Sequence, residues 1–130
     1  MTKRHVNPEG LHSSPYFSQA VVVENPTRTI YVGGQNGVDA EGKLVGPGLG
    51  EQSLQAYRNL ARVLEAEGAT LADIVHWRIA VVEGQDIQEG LAAFGEVWNQ
   101  GDPPPAITVY FVSGLGGPGF LVEIDAVAVV

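Results

Sequence analysis

Five stretches of the chain are rich in β-branched and aromatic residues, and this composition predicts β-strands. They are residues 16–24, 29–35, 72–83, 107–112 and 120–130. The first two are separated only by residues 25–28, where Pro26 favours a turn, so they predict a hairpin. Residues 1–15 contain two prolines and a glycine without a periodic pattern, and they predict an extended arm.

Two other stretches repeat apolar residues at the spacing of an amphipathic helix. The first helix is expected from residue 51 to Gly68, a residue type that commonly ends helices. The second is expected from about residue 86 to residue 100, before three consecutive prolines. The two apolar stripes are Leu54, Tyr57, Leu60, Ala61 and Leu64, and then Ile87, Leu91, Phe94, Val97 and Trp98.

The element order is strand, strand, helix, strand, helix, strand, strand, and two helices cannot cover both faces of such a sheet. We therefore expect an α+β fold in which one sheet carries both helices on one face. The remaining face has too many apolar residues to lie in water, which favours burial against other subunits. The pattern shows no boundary within the chain, so residues 1–130 are expected to form one domain.

Composition and charge narrow the classes of function. The 130 residues include no cysteine, which excludes disulfides and thiolate chemistry and is compatible with a cytoplasmic location. The net charge is −8, so we expect no nucleic-acid partner. No apolar stretch is long enough to span a bilayer, so we expect no membrane partner. His5 and His12 lack nearby carboxylates at metal-ligand spacing, so we expect no metal site there.

The last predicted strand carries two carboxylates, Glu123 and Asp125, on one face of an otherwise apolar segment. One interpretation is a wet edge or a structural ion pair, and the other is a cleft in which Glu123 serves as an acid or base. His76 and Arg78 also share a strand face, where they form either a hydrated polar stripe or a cation facing a cleft. Gly33 and Gly34 lack the Lys-Ser/Thr of a phosphate-binding loop. They indicate either a tight strand end, which is the favoured interpretation, or a place where a backbone N–H approaches a ligand oxygen.

Taken together, several segments resemble the Rid family, the reactive intermediate/imine deaminases also called the YjgF family. The resemblance spans about residues 7–130 and includes a Tyr after Pro in the arm, a Gly-Gln pair, an Asn in the first helix and a closing Glu-Ile-acidic-Ala strand. The segments that carry it are "SPYFSQAVVV", "IYVGGQNGVDAEGKLVG", "EQSLQAYRNLARVLEAEGATLADIVHWRIAVVE", "PPPAITVYFV" and "LVEIDAVAVV".

This resemblance implies a chorismate-mutase-like α+β fold, assembled as a homotrimer with small-molecule clefts between subunits. It also implies hydrolysis of imines and enamines, such as 2-aminoacrylate, without a cofactor or a metal. Glu123 corresponds to the glutamate that positions water, and Tyr16 corresponds to the tyrosine of the arm. Gly34 and Gln35 match the Gly-Gln pair, and Gly33 stands where a serine often precedes it.

Three further positions depart from the family pattern. Ile107 replaces the arginine that binds the substrate carboxylate, Val109 replaces a frequent cysteine, and Leu91 aligns with an asparagine of the second helix. Because isoleucine cannot form the paired hydrogen bonds of arginine, we do not expect ordinary 2-aminoacrylate deamination unless Arg78 or Arg28 compensates.

Three functions therefore stay open at this stage. The first is a hydrolase in which Glu123 activates water toward a neutral or apolar imine or enamine. The second is a non-catalytic trimer that binds a small molecule or serves as a scaffold. The third is the ribonuclease or translation-inhibitor activity ascribed to some members of the family, which the net charge of −8 disfavours.

Overall fold

The computed structural model describes all residues from 1 to 130. It contains six strands and two helices, and a single 3₁₀ turn at Leu71–Asp73 precedes the fourth strand. In chain order the elements are β1 (Thr2–Val6), β2 (Ala20–Glu24), β3 (Thr29–Gln35), α1 (Leu49–Glu65), β4 (Ile74–Val82), α2 (Ile87–Val97), β5 (Ala106–Val112) and β6 (Val122–Val129).

Four of the strands form a mixed sheet in the order β3-β6-β4-β5. β6 pairs antiparallel with both β3 and β4, whereas β4 and β5 are parallel. The connections through α1 and α2 both step in the same direction along the sheet. Because such crossovers are right-handed, both helices lie on one face. The predicted α+β fold, a mixed sheet with two helices on one face, is confirmed.

The hairpin predicted at the N-terminal end is wrong. β2 pairs antiparallel with β1, while β3 pairs with β6. The chain turns away at Asn25, whose φ is 54°, and the backbone N–H groups of Thr27 and Arg28 both donate to the carbonyl of Val130. The hydrogen bonds expected between the first two predicted strands are thus made to other parts of the chain.

The extended arm predicted for residues 1–15 contains a strand, because β1 begins at Thr2. This strand has no clear alternation of apolar and polar residues, so its pairing with β2 could not be recognised from side chains. Residues 7–15 contain no named element, and they connect β1 to the tyrosine at position 16.

The core lies between the helices and the sheet, around the fully buried Trp77 of β4. Its ring contacts Tyr57 of α1, with the ring centroids 5.3 Å apart, and Phe94 and Trp98 on the side of α2, at 5.8 and 5.6 Å. Ile124 of β6 is also fully buried on this face. Aromatic contacts of this kind therefore join both helices to the sheet.

A polar cluster fastens the N-terminal segment to the loop before β5. The Ser18 hydroxyl donates to the Pro104 carbonyl, and His5 Nδ1 lies 3.0 Å from both oxygen atoms. Burial lowers the pKa of His5, which favours the neutral ring in this cluster. The cluster holds Tyr16, two residues before Ser18, close to the start of β5.

No helix of the structure combines the length and the apolar character that crossing a membrane requires.

Candidate functional site

An apolar cavity of about 320 Å³ lies between the two helices and the edge strand β5. Ile107 and Val109 point into it because they pair in register with Trp77 and Ile79, whose side chains face the helices. Strand alternation thus places both sequence-predicted residues of β5 on the helix-covered side of the sheet. Twelve of the fifteen residues around the cavity are hydrophobic.

Tyr16 lies at the same cavity, although the residue itself is 40% exposed. Its ring meets the edge of Phe94 with the centroids 5.8 Å apart. Leu91 of α2, the position aligned with an asparagine, also lines the cavity. None of the lining residues carries a charge, so the cavity offers no partner for an ionised ligand.

Glu123 lies on the opposite face of the sheet. It pairs in register with Ala80, and Ala80 faces away from the helices because its neighbours Ile79 and Val81 face them. The next residue after Glu123, Ile124, is fully buried under the helices. The sheet therefore separates the Glu123 side chain from the cavity of the same chain.

The glycines of β3 make room for Glu123. The register of β3 against β6 shifts between Val32 and Gln35, so Gly33 and Gly34 form an irregularity in the strand. A Cβ on Gly34 would lie 2.7 Å from Cδ of Glu123, whereas a Cβ on Gly33 would meet nothing within 4 Å. The Gln35 side-chain amide donates back to the Gly33 carbonyl and holds the irregular segment.

A chain of amide side chains supports the Glu123 carboxylate. Asn36 donates to Glu123 Oε1 at 3.4 Å and to the Val122 carbonyl at 3.1 Å. Asn59 of α1 in turn donates to the backbone carbonyls of Asn36 and Val38, and Gln55 donates to the Asn59 side-chain oxygen. The asparagine of the first helix thus fixes the loop that presents Asn36 to the glutamate.

Replacing Gly34 by alanine is expected to displace the Glu123 carboxylate and disturb its contact with Asn36. The clash falls on the end of a flexible side chain, so we expect a stability cost below about 1 kcal/mol. The matched control is Gly33→Ala, whose added Cβ enters open space. Crystal structures of both variants would test this, and an unmoved Glu123 carboxylate in Gly34→Ala would contradict it.

Neither arginine considered as a substitute reaches the cavity within one chain. Arg78 Nε donates to Asp125 Oδ1 at 3.0 Å on the open face of the sheet. The ion-pair interpretation therefore holds for Asp125. Arg28 bonds to the side chain and the backbone carbonyl of Glu67.

The sequence-predicted residues thus form two groups within a chain. Tyr16, Ile107 and Val109 lie at the cavity. The second group is on the other side of the sheet and consists of Glu123 and the irregular end of β3, residues 33–35. A single chain does not bring the two groups together.

Three polar residues near these groups were missed from the sequence: Gln52, Ser53 and Asn36. Gln52 is fully buried, donates to the carbonyls of Gly46 and Gly119, and accepts from the Leu121 N–H. It thereby ties the glycine-rich loop before α1 to the loop before β6. Gln52 could have been found from its position on α1, because it lies one turn before the buried Ala56 and so belongs to the buried face of the helix.

No group of three or more His, Cys, Asp or Glu side chains is arranged to hold a metal ion.

Two helices on one face of a four-stranded mixed sheet, with a separate two-stranded ribbon, define the chain as an α+β protein. The family model described as "Endoribonuclease L-PSP" matches residues 9–130. The chain therefore belongs to this family, which includes the Rid/YjgF proteins.

Relatives and solved structures agree with this assignment. The chain is 36% identical over 117 residues to the rat 2-iminobutanoate/2-iminopropanoate deaminase and 32% identical over 114 residues to the human one. Each match covers 87% of this chain and 79% of the relative. A Rid-family protein of unknown function from Yersinia pestis is 34% identical, with a TM-score of 0.88 and full coverage of both chains. RidA from a Psychrobacter species has a TM-score of 0.72 at 29% identity, with 95% of this chain and 94% of that chain covered.

Proposed function

We propose that this protein hydrolyses a neutral or apolar imine or enamine and is not a deaminase of 2-imino acids. The observation that carries the proposal is Ile107, which lines an apolar cavity without a charged residue. A carboxylate placed there would lose its hydration and gain no cation. Loss of one partner of a buried charge pair costs about 3–5 kcal/mol, so binding of an imino acid should be weaker by at least about 100-fold.

The proposal includes a homotrimer whose clefts join two subunits. Tyr16, Ile107 and Val109 of one subunit would then face Glu123 and the glycines of β3 in a neighbouring subunit. This arrangement is supported by the two groups lying on opposite faces of one sheet. It is also supported by the exposure of Val109, Tyr110 and Phe111 on the edge strand β5.

In the proposed reaction Glu123 accepts a hydrogen bond from water and draws its proton as the oxygen attacks the C=N carbon. The proton passes to nitrogen, the resulting carbinolamine loses ammonia, and a carbonyl compound remains. Asn36 keeps the carboxylate aimed at the water through its side-chain amide. The reaction needs only water, so we propose no cofactor.

The test compares two imines generated in the assay, 2-iminopropanoate and the imine of a simple uncharged ketone. We expect no acceleration with 2-iminopropanoate and faster ammonia release with the neutral imine. Glu123→Gln should abolish that acceleration, whereas Asp125→Asn, two residues along the same face, should leave most of it. Robust turnover of 2-iminopropanoate by the unaltered protein would contradict the proposal.

The second candidate is a non-catalytic trimer that binds a small neutral molecule. It is favoured because Ile107 and Leu91, which stand where the family has an arginine and an asparagine, both line one cavity. In that case both imines hydrolyse at the uncatalysed rate although the neutral one still binds. A ribonuclease function, in line with the family description, is the weakest candidate because the net charge of −8 repels phosphate.

A further inference from the structure

Two buried hydroxyl side chains line the apolar cavity, and neither has been given a role so far. Ser53 and Tyr57 both line it, and only 2% and 3% of their surfaces are exposed. They are four residues apart on α1, so their side chains project from the same face of the helix. The hydroxyls therefore lie on the wall formed by α1, across from β5.

Neither hydroxyl has a hydrogen-bond partner within the chain, although the structure gives partners to other buried polar side chains such as Gln52 and Ser18. The one fully enclosed side-chain polar atom without a partner is Trp77 Nε1, so the oxygens of Ser53 and Tyr57 still reach the open space of the cavity. A ligand in the cavity can therefore supply the hydrogen bonds that neither hydroxyl makes within the chain.

The properties of the two hydroxyls define the complementary group. Burial raises the pKa of Tyr57, so its hydroxyl keeps its proton at neutral pH and can donate. The hydroxyl of Ser53 can donate or accept. The rest of the wall consists mainly of apolar side chains, among them Ile79, Leu91 and Ile107.

We propose that this cavity binds an uncharged molecule with an apolar body and one carbonyl-type acceptor that receives hydrogen bonds from Tyr57 and Ser53. This inference rests on the proposed function only in taking the cavity as the subsite for the neutral part of the substrate. Binding itself needs neither Glu123 nor turnover. The size fits, because ligand pockets begin at about 300 Å³.

Three probes of nearly the same shape test the chemistry: acetophenone, α-methylstyrene and benzoate. The first has a carbonyl, the second has a CH₂ group in its place, and the third carries a charge. Binding to the purified full-length protein is measured by ligand-observed NMR titration. We expect acetophenone to bind and benzoate to bind at least about tenfold more weakly, because the cavity contains no cation.

The variants separate the hydroxyls from the cavity as a whole. Tyr57→Phe and Ser53→Ala should each weaken the binding of acetophenone by about 3–10-fold and leave the binding of α-methylstyrene unchanged. Tyr31→Phe removes an exposed hydroxyl on the other face of the sheet and should change the affinity for neither probe. Gly90→Leu projects toward Ser53 and should block both probes, which locates their binding in the cavity.

Three results would overturn the inference: no binding of acetophenone, equal affinity for benzoate, or equal effects of the hydroxyl variants on acetophenone and α-methylstyrene. Glu123→Gln should leave acetophenone binding intact. Intact binding without hydrolysis of any neutral imine would therefore reject the proposed reaction while leaving this ligand class in place.

Discussion

Replacing Gly37 by alanine should lower the free energy of unfolding by about 3 kcal/mol. The added Cβ would lie 2.5 Å from the Cα of Gln52 and 2.8 Å from its carbonyl oxygen. These are backbone atoms in the first turns of α1, so no side-chain rotation relieves the clash. The loop after β3 or the helix itself must shift, and the cost falls at the upper end for an overpacked site.

The shift should also reach the functional residues. The Gly37 carbonyl accepts from the Val45 N–H, and its neighbour Asn36 contacts Glu123. We expect the Gly37→Ala variant to be less stable and also to lose the contact between Asn36 and Glu123. The measurement is chemical denaturation monitored by the fluorescence of Trp77 and Trp98, since both are buried.

Gly33→Ala is the matched control, because the same methyl group enters open space in β3, four residues before Gly37. We expect its free energy of unfolding to stay within about 0.5 kcal/mol of that of the unaltered protein. Equal losses in the two variants would mean that glycine matters here for chain flexibility and not for the approach of the loop to α1.

The sequence predicted most of the fold because its helices and long strands have strong periodicity. The stripe ending at Leu64 and the buried even positions of β6, such as Ile124, report the side of each element that faces the core. Together with the rule for crossover connections, these patterns fix both helices on one face of the sheet.

The pairing of the N-terminal strands could not be predicted in the same way. β1 consists of "TKRHV", a segment in which polar side chains dominate, and its stability comes from backbone hydrogen bonds to β2. Adjacent strands in the chain favour a hairpin, yet Asn25 redirects the backbone toward Val130. Such a choice depends on which strand edge is free in the folded molecule.

For the candidate site, the sequence indicated the residues but not their arrangement. Alternation along β6 sets the face of Glu123, and alternation along β5 sets the face of Ile107, but the relation between the two faces requires the register through β4. The support from Asn36 depends on a loop contact that has no periodic signature. A polar residue within an apolar stripe, as at Gln52 and Ser53, is the signal that would have found the others.

Replacing Ile107 by arginine should give the protein affinity for carboxylates that it otherwise lacks. The new guanidinium would extend into a cavity without charged groups, where a carboxylate ligand is its best available partner. Pyruvate, the product expected from 2-iminopropanoate, therefore serves as the probe. We expect its affinity to rise by at least about 100-fold over the unaltered protein.

The matched control is Thr108→Arg, which adds the same charge one residue along β5. Thr108 pairs in register with Arg78 and is exposed on the opposite face of the sheet, so its arginine points away from the cavity. Ile107→Gln provides a second comparison, a hydrogen-bonding side chain of moderate length without charge. Only Ile107→Arg should be stabilised by pyruvate in thermal denaturation, since ligand binding to the folded state raises the midpoint.

Ile107→Arg should also hydrolyse 2-iminopropanoate faster than the unaltered protein if Glu123 of a neighbouring subunit faces the cavity. The double variant Ile107→Arg with Glu123→Gln should then keep its stabilisation by pyruvate and lose the gain in turnover. Because Glu123 is on the far side of the sheet in its own chain, this separation of binding from catalysis is the signature of a cleft built by two subunits. A pyruvate response as large in Thr108→Arg as in Ile107→Arg would show that position 107 does not decide the charge preference of the site.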